Sequence, residues 1–150
     1  VRFASTEAEN HYRVDGGTGS QKLMDLINSQ ITNEMEASQL YLAASVWCEA
    51  QEYPGMAAYM RAESEDERSH AMQFIDFCQQ RNFPVELEDL EAPEQQHWSS
   101  VQNLWEYLLE AEKKNTKNIL HLADVAQEVS DHATTAFLMP FHTVRHTRIV

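Results

Sequence analysis

The sequence predicts an all-α protein of one domain, on the evidence of its composition, its apolar periodicity and its length. Its 150 residues include only 4 glycines and 4 prolines, and these helix-breaking residues cluster at the ends of apparent segments. Within the segments, apolar residues recur at spacings of three and four, the period of one face of an α-helix. No apolar run approaches the ~20 residues that a membrane span requires. The length suits one domain with a single sizeable core.

The composition narrows the possible partners. The formal net charge is −13, which argues against nucleic acid as a partner and favours a soluble protein that attracts cations. The lack of a long apolar run argues against a membrane as a partner. If the first two helices are antiparallel, Cys48 and Cys78 lie roughly 30 Å apart, too far for a disulfide. Both are therefore expected to be reduced thiols, in keeping with an intracellular compartment.

Residues 1–19 lack periodicity and end in a glycine-rich stretch, so we predict a flexible N-terminal arm followed by a domain over residues 20–150. A long helix is predicted from Ser20 to Glu52. Its inward face consists of Leu23, Ile27, Ile31, Glu34, Ser38, Tyr41, Ser45 and Cys48.

A second helix is predicted from Pro54 to about Arg81, with the proline at its first position. The turn before it is short, so helices one and two should be antiparallel neighbours. Asn82 to His97 is predicted to be a non-helical link. Extended, these residues reach up to roughly 50 Å, enough to cross the length of a bundle.

Ser99 and Gln102 are predicted to form a capping box that opens helix three. A fourth helix is predicted from His132 to about His142, with Pro140 near its end. The predicted inward row of helix three is Val101, Trp105, Leu108, Glu112, Ile119, Leu122 and Ala126.

Helix two carries a Glu-x-x-His pair, Glu67 and His70, with Glu63 one turn earlier. These three residues share a face with the apolar Met60 and Phe74. Burying charged groups unpaired is costly, and a bound cation offsets that cost. Carboxylate oxygens with one imidazole suit iron or manganese. The alternative for so short a pattern is a solvated acidic face.

Two further carboxylates interrupt apolar rows, Glu34 on helix one and Glu112 on helix three. Taken alone, Glu34 could lie at the edge of its stripe and reach water. Together with helix two, the two residues supply most of the ligands of a dinuclear carboxylate site in a four-helix bundle.

The sequence resembles a known family, the ferritins, and most closely the eukaryotic-type ferritins of diatoms and some marine cyanobacteria. The resemblance covers roughly Lys22 to His142 and implies a ferritin-like four-helix bundle with a long crossover between helices two and three. The matching stretches are ITNEMEASQLYL (31–42), AESEDERSHA (62–71), WSS (98–100), LEAEKKNT (109–116) and AFLMPFH (136–142).

The resemblance implies roles for five acidic or imidazole side chains. Glu34, Glu67 and His70 would bind the first iron of a di-iron ferroxidase site, and Glu67 and Glu112 the second. Glu63 matches a carboxylate that provides a possible third iron position.

Two aromatic residues also match the family. Tyr41 corresponds to a tyrosine beside the dinuclear centre and would be a one-electron donor. Trp98 corresponds to a tryptophan that opens helix three, where plain aromatic packing is the favoured interpretation.

The chain departs from the family after His142, where ferritins continue the fourth helix for several turns and add a fifth. We therefore expect a truncated fourth helix and no fifth helix. An open apolar groove should result, lined by Ile31, Met35, Phe74 and Ile119.

The function implied by the resemblance is iron storage with ferroxidase activity, in which Fe(II) is oxidised to Fe(III) by O2 or H2O2. The family pattern implies a homo-oligomeric 24-subunit cage in the cytoplasm or a plastid. One alternative is a non-catalytic, incomplete ferritin-like subunit that binds metal but forms no cage. A dinuclear oxidase outside the ferritins is a weaker alternative, since no second Glu-x-x-His follows Glu112.

Overall fold

The structure is a computed structural model that describes residues 18–147. This part of the chain forms four helices: α1 (Thr18–Ala50), α2 (Pro54–Gln80), α3 (Val101–Glu128) and α4 (His132–Thr147). The all-α prediction is confirmed. The predicted arm lies outside the described residues up to residue 17, and its last two positions belong to α1. None of the described helices is long and apolar enough to cross a membrane.

The helices form a bundle in which α1 packs on α2 and α3, and α3 packs on α4. The non-helical link between α2 and α3 follows the outside of α1, as predicted for a crossover. Its successive residues contact α1 at intervals of one turn, in the order Asn28 with Pro84 and Glu86, Thr32 with Glu88, and Glu36 with the backbone of Glu91. Because the link runs alongside α1, α3 starts at the same end of the bundle as α2.

Three helices end in the same way, through a residue in the left-handed region. Glu52, Asn82 and Ser130 have φ of 64°, 53° and 56°. In each case the next N–H bonds to a carbonyl five residues earlier: Tyr53 to Cys48 at 2.9 Å, Phe83 to Cys78 at 2.8 Å, and Asp131 to Ala126 at 2.8 Å. This is the Schellman arrangement, which usually places glycine at the left-handed position.

The start of α3 differs from the prediction by one residue. The N-cap is Ser100, whose Oγ accepts a hydrogen bond from the N–H of Asn103 at 3.1 Å. The prediction of a capping box at Ser99 and Gln102 is therefore wrong.

The prediction of Trp105 as an inward residue of α3 is also wrong. Trp105 is 40% exposed, while its neighbour Leu104 is fully buried. The apolar row of α3 is centred on Leu104, which leaves Trp105 at its edge.

The fourth helix is longer than predicted and passes through Pro140 to Thr147. The proline lies on the exposed side of α4, where its missing N–H does not leave a buried carbonyl without water. The helix is attached to α2 by aromatic rings. The ring centroids of Phe74 lie 5.1 Å from Phe137 and 4.9 Å from Phe141.

This attachment overturns the predicted open groove. Ile31, Phe74 and Ile119 are at most 1% exposed, and Met35 is half-buried. The aromatic face of α4, together with the fully buried Leu138, covers the surface that the sequence was expected to leave open.

The buried core consists of two apolar clusters. One, next to α4, includes Ile31, Phe74 and Ile119. The other, towards the α1–α2 turn, includes Tyr41, Met60, Leu104 and Leu108. The two cysteines are free, buried thiols divided between the clusters. Between the clusters the bundle carries buried polar side chains on three helices, which we call the polar band: Gln30, Glu34, Ser64, Glu67 and Asn115.

An ion pair joins the end of α2 to the start of α4. One nitrogen of Arg81 contacts the two carboxylate oxygens of Asp131 at 2.6 and 2.7 Å. Asp131 also accepts a hydrogen bond from the N–H of Thr134 at 3.0 Å, which caps α4. Partial burial acts to raise the pKa of Asp131, but the bonds from Arg81 and Thr134 outweigh it, so the pKa lies below its ordinary value.

We expect the charge of Asp131 to stabilise the fold at neutral pH and to lose this effect in acid. A carboxyl whose pKa is lowered by folding stabilises the folded state above its unfolded pKa of about 3.9, and this contribution disappears as the pH falls through the folded value. Asp131→Asn keeps the helix cap but removes the charge. Urea unfolding should therefore show the wild type more stable than the variant at pH 7, and the difference should shrink as the pH falls below about 3.9. A difference that stays constant with pH would contradict the prediction.

Candidate metal centre

Two of the predicted ligands, Glu34 and Glu67, belong to the polar band between the two apolar clusters. On α1 the band falls between Ile27 and Tyr41, and on α2 it falls between Met60 and Phe74. Because each helix contributes apolar residues on both sides of the band, its polar side chains are held at mid-bundle and shielded from water.

Glu34, Glu67 and His70 come together in this band. One ligand atom from each lies within 4.8 Å of the other two. The Nδ1 of His70 is 3.2 Å from Oε2 of Glu67 and 3.7 Å from Oε2 of Glu34. Glu34 is fully buried and Glu67 is 4% exposed, so neither belongs to a solvated acidic face and Glu34 does not reach water.

The imidazole offsets part of the negative charge of the two carboxylates in this cluster. Partial burial lowers the pKa of His70, but its interactions with the carboxylates of Glu34 and Glu67 outweigh that effect and raise the pKa to about 9. At neutral pH, His70 is therefore protonated in the metal-free cluster. A metal ion would have to displace this proton, which makes metal affinity fall as the pH is lowered.

Tyr41 and Glu112 form a second feature of the band. The hydroxyl of Tyr41 donates a hydrogen bond of 2.7 Å to Oε1 of Glu112, between α1 and α3. Burial and the neighbouring charge of Glu112 raise the pKa of Tyr41 far above its ordinary value, with smaller contributions from Glu67 and Glu63. The phenol is therefore neutral, and three carboxylates act on it.

The structure thus brings three of the five predicted ligands into one compact group. Glu63 and Glu112 lie outside that group of three and are half-buried. Both are linked to it through Tyr41, on which Glu112, Glu67 and Glu63 all exert an electrostatic effect. The carboxylate of Glu112 faces the phenol of Tyr41.

Two residues of the site were missed in the sequence. Gln30, 1% exposed, donates from Nε2 to Oε1 of Glu34 at 2.8 Å and to Oδ1 of Asn115 at 2.7 Å. Asn115 is 8% exposed. Their positions in the sequence could have revealed them. Gln30 lies one turn before Glu34 and Asn115 lies one turn after Glu112, so each shares a helix face with a predicted ligand.

Trp98 belongs to an apolar cluster and not to the metal-ligand group. Its ring packs edge-to-face on Trp47 at 5.8 Å and on Tyr107 at 5.9 Å. Trp98 is 6% exposed, in agreement with the packing interpretation.

The fold and the site define a class of protein. Carboxylate oxygens with one imidazole suit divalent iron or manganese, and inward carboxylates with a Glu-x-x-His pair are the arrangement that helical bundles use for such metals. This is a four-helix bundle with a buried group of two carboxylates and one imidazole that could hold a metal ion.

Comparison with known proteins makes the assignment specific. The ferritin-like domain profile matches residues 24–147. The bacterial non-heme ferritin of Campylobacter jejuni is 32% identical over 127 residues, covering 85% of this chain and 75% of that protein. The crystal structure of apo-ferritin from Pseudo-nitzschia multiseries is 45% identical with a TM-score of 0.84, covering 86% and 82% of the two chains. A PmFTN variant soaked in iron overnight is 46% identical with a TM-score of 0.82, covering 83% and 80%.

The chain belongs to the ferritin family, whose members are iron-storage proteins. The predicted resemblance, including its diatom character, is confirmed.

Proposed function

We propose that this chain is a ferroxidase subunit of an iron-storage assembly, which oxidises Fe(II) to Fe(III) with O2 or H2O2. The observation that carries the proposal is the convergence of Glu34, Glu67 and His70 within 4.8 Å in a buried band of a ferritin bundle. These three side chains would bind the first Fe(II), with Glu67 shared with a second Fe(II) that Glu112 also binds.

The charge of the site favours the oxidation. Two Fe(II) ions lose one electron each, and O2 takes up both electrons and two protons to give H2O2. Buried carboxylates stabilise Fe(III) more than Fe(II), because attraction in a low-dielectric interior grows with the charge of the ion. The same carboxylates replace the hydration shell that each ion loses on entering the band.

Tyr41 would act as an additional one-electron donor. Where a single Fe(II) supplies only one of the two electrons that reduction of O2 to H2O2 requires, Tyr41 would supply the second. Its proton would pass to Oε1 of Glu112, which already accepts the hydroxyl hydrogen bond at 2.7 Å. A phenol with a strongly raised pKa does not lose its proton alone near neutral pH, so the electron and proton would leave together.

Storage would require many copies of the chain around the oxidised iron. The proposal includes a homo-oligomeric cage, supported by membership of the ferritin family. The mass of the native assembly tests this part: a monomer or dimer would favour the alternative of a metal-binding subunit without a cage.

An anaerobic Fe(II) titration tests the ferroxidase proposal. We expect about two tight equivalents per chain, because four ligands are divided between two metal positions, and one weaker equivalent that Glu63→Ala removes. Admission of O2 should then oxidise the tightly bound iron rapidly, both in the wild type and in Glu63→Ala. Glu65→Ala is a matched control, since Glu65 is an exposed carboxylate on the same helix.

Two results would contradict these expectations. A wild-type chain without saturable Fe(II) binding would overturn the ferroxidase proposal. An equal loss of the initial oxidation phase in Glu63→Ala would place Glu63 in the primary site.

A further inference from the structure

Behind the proposed ligands, a buried amide connects two helices. The Nε2 of Gln30 on α1 donates to Oε1 of Glu34 at 2.8 Å and to Oδ1 of Asn115 on α3 at 2.7 Å. Gln30 is 1% exposed and Glu34 is fully buried, so water does not compete for these bonds. In such an interior, a charge-assisted hydrogen bond is short and strong.

The chemistry of the groups sets the orientation of the amide. An ionised carboxylate only accepts hydrogen bonds, so the NH2 end of Gln30 must face Glu34. Its two hydrogens are then assigned, one to Glu34 and one to Asn115. The Oε2 of Glu34 is the oxygen on the side of His70, 3.7 Å from its Nδ1.

From this geometry, and resting on the proposed function, we infer that Gln30 and Asn115 are positioning residues for the first metal. They keep Oε1 of Glu34 engaged, so that Glu34 binds the ion through Oε2 alone. Asn115 contributes by holding the amide of Gln30 in place from α3.

One consequence of this arrangement is geometric. Without the bond from Gln30, the carboxylate of Glu34 loses one restraint on its rotation and can offer both oxygens to the ion, which raises the coordination number. The second consequence concerns α3, where Asn115 lies one turn after Glu112. The Gln30–Asn115 bond therefore ties the helix that carries Glu112 to the helix that carries Glu34.

Cobalt(II) is a suitable probe, since it is stable in air and its visible absorption weakens as coordination number rises. In Gln30→Leu we expect the Kd of Co(II) at the tighter site to rise by about 10- to 100-fold, the range typical of groups that orient metal ligands. The extinction coefficient of the bound ion should fall. Asn115→Leu should act in the same direction, and the double variant should resemble Gln30→Leu because the two residues act as a unit.

Asn28→Leu provides a matched control. Asn28 is also an amide on α1, but its Nδ2 bonds to the carbonyl oxygen of Pro84 in the link at 2.9 Å and not to a ligand. Its loss should lower the melting temperature and leave the Co(II) affinity and spectrum unchanged. A purely structural role for Gln30 would produce that same pattern.

The outcomes separate this inference from the proposed function. If the wild type shows no saturable Co(II) binding and no saturable Fe(II) binding, both are overturned. If the wild type binds Co(II), and Gln30→Leu binds it within twofold of the wild-type Kd with an unchanged spectrum, only the positioning role is overturned. If Gln30→Leu fails to fold, Asn115→Leu decides by the same criteria, because Asn115 is nearer the surface.

Discussion

Replacing Glu67 by alanine is expected to lower the initial rate of Fe(II) oxidation by more than about 100-fold, beyond the 10- to 100-fold typical of groups that only orient ligands. Glu67 is the ligand that the proposal assigns to both irons, and it is 4% exposed within the compact group formed with Glu34 and His70. Its removal would leave the first iron with two protein ligands and the second with one. Stopped-flow absorbance after mixing with Fe(II) and O2 measures the effect.

The control for this variant is Glu65→Ala, two residues earlier on α2 and exposed to solvent. It removes the same charge from the same helix and should keep the wild-type rate. Glu67→Ala should remain folded, since the pair of Glu34 and His70 is still present to balance charge in the band. A folded Glu67→Ala protein that retains more than a tenth of the wild-type rate would show that the oxidation occurs elsewhere.

Replacing Phe74 by alanine is expected to lower the free energy of unfolding by about 3–5 kcal/mol, the usual cost of deleting a buried phenylalanine. Phe74 is fully buried and contacts both Phe137 and Phe141 of α4. Since whole domains are stable by only about 5–15 kcal/mol, a loss of this size removes a large fraction of the total. Urea unfolding followed by circular dichroism gives the difference.

Met72→Ala is the matched control, because Met72 lies two residues earlier on α2 and is 37% exposed. Its effect should stay below about 1 kcal/mol, as for most surface substitutions. An equally small effect of Phe74→Ala would mean that α4 is not held by the aromatic cluster. In that case the groove predicted from the sequence would be open after all. Melting temperatures that rise with protein concentration would then reveal self-association through it.

Much of the site was predictable because its signals are local. Glu67 and His70 lie one turn apart, so any helix over this segment places them on the same face. Glu34 and Glu112 stand out because each is the one charged residue in its predicted inward row. The bounds of α2 were also close to the prediction, since Pro54 marks its start.

The errors arose where a neighbouring element decides the outcome. Trp105 and Leu104 are adjacent in the row of α3, and only the packing against α1 and α2 determines which one is buried. Pro140 suggested the end of a helix, but the docking of Phe137 and Phe141 on α2 extends α4 through it. In both cases tertiary contacts outweigh a local preference worth a few kcal/mol at most.

The amino-acid sequence determined the four helices of residues 18–147 and the presence of acidic groups on their inward faces, because both depend on residues three or four positions apart. Only the tertiary structure decided which of these groups meet. Gln30 reaches Asn115 across 85 positions of the chain, and Tyr41 reaches Glu112 across 71. Such contacts depend on the rotation of one helix against another, and that rotation is set by packing of the whole core.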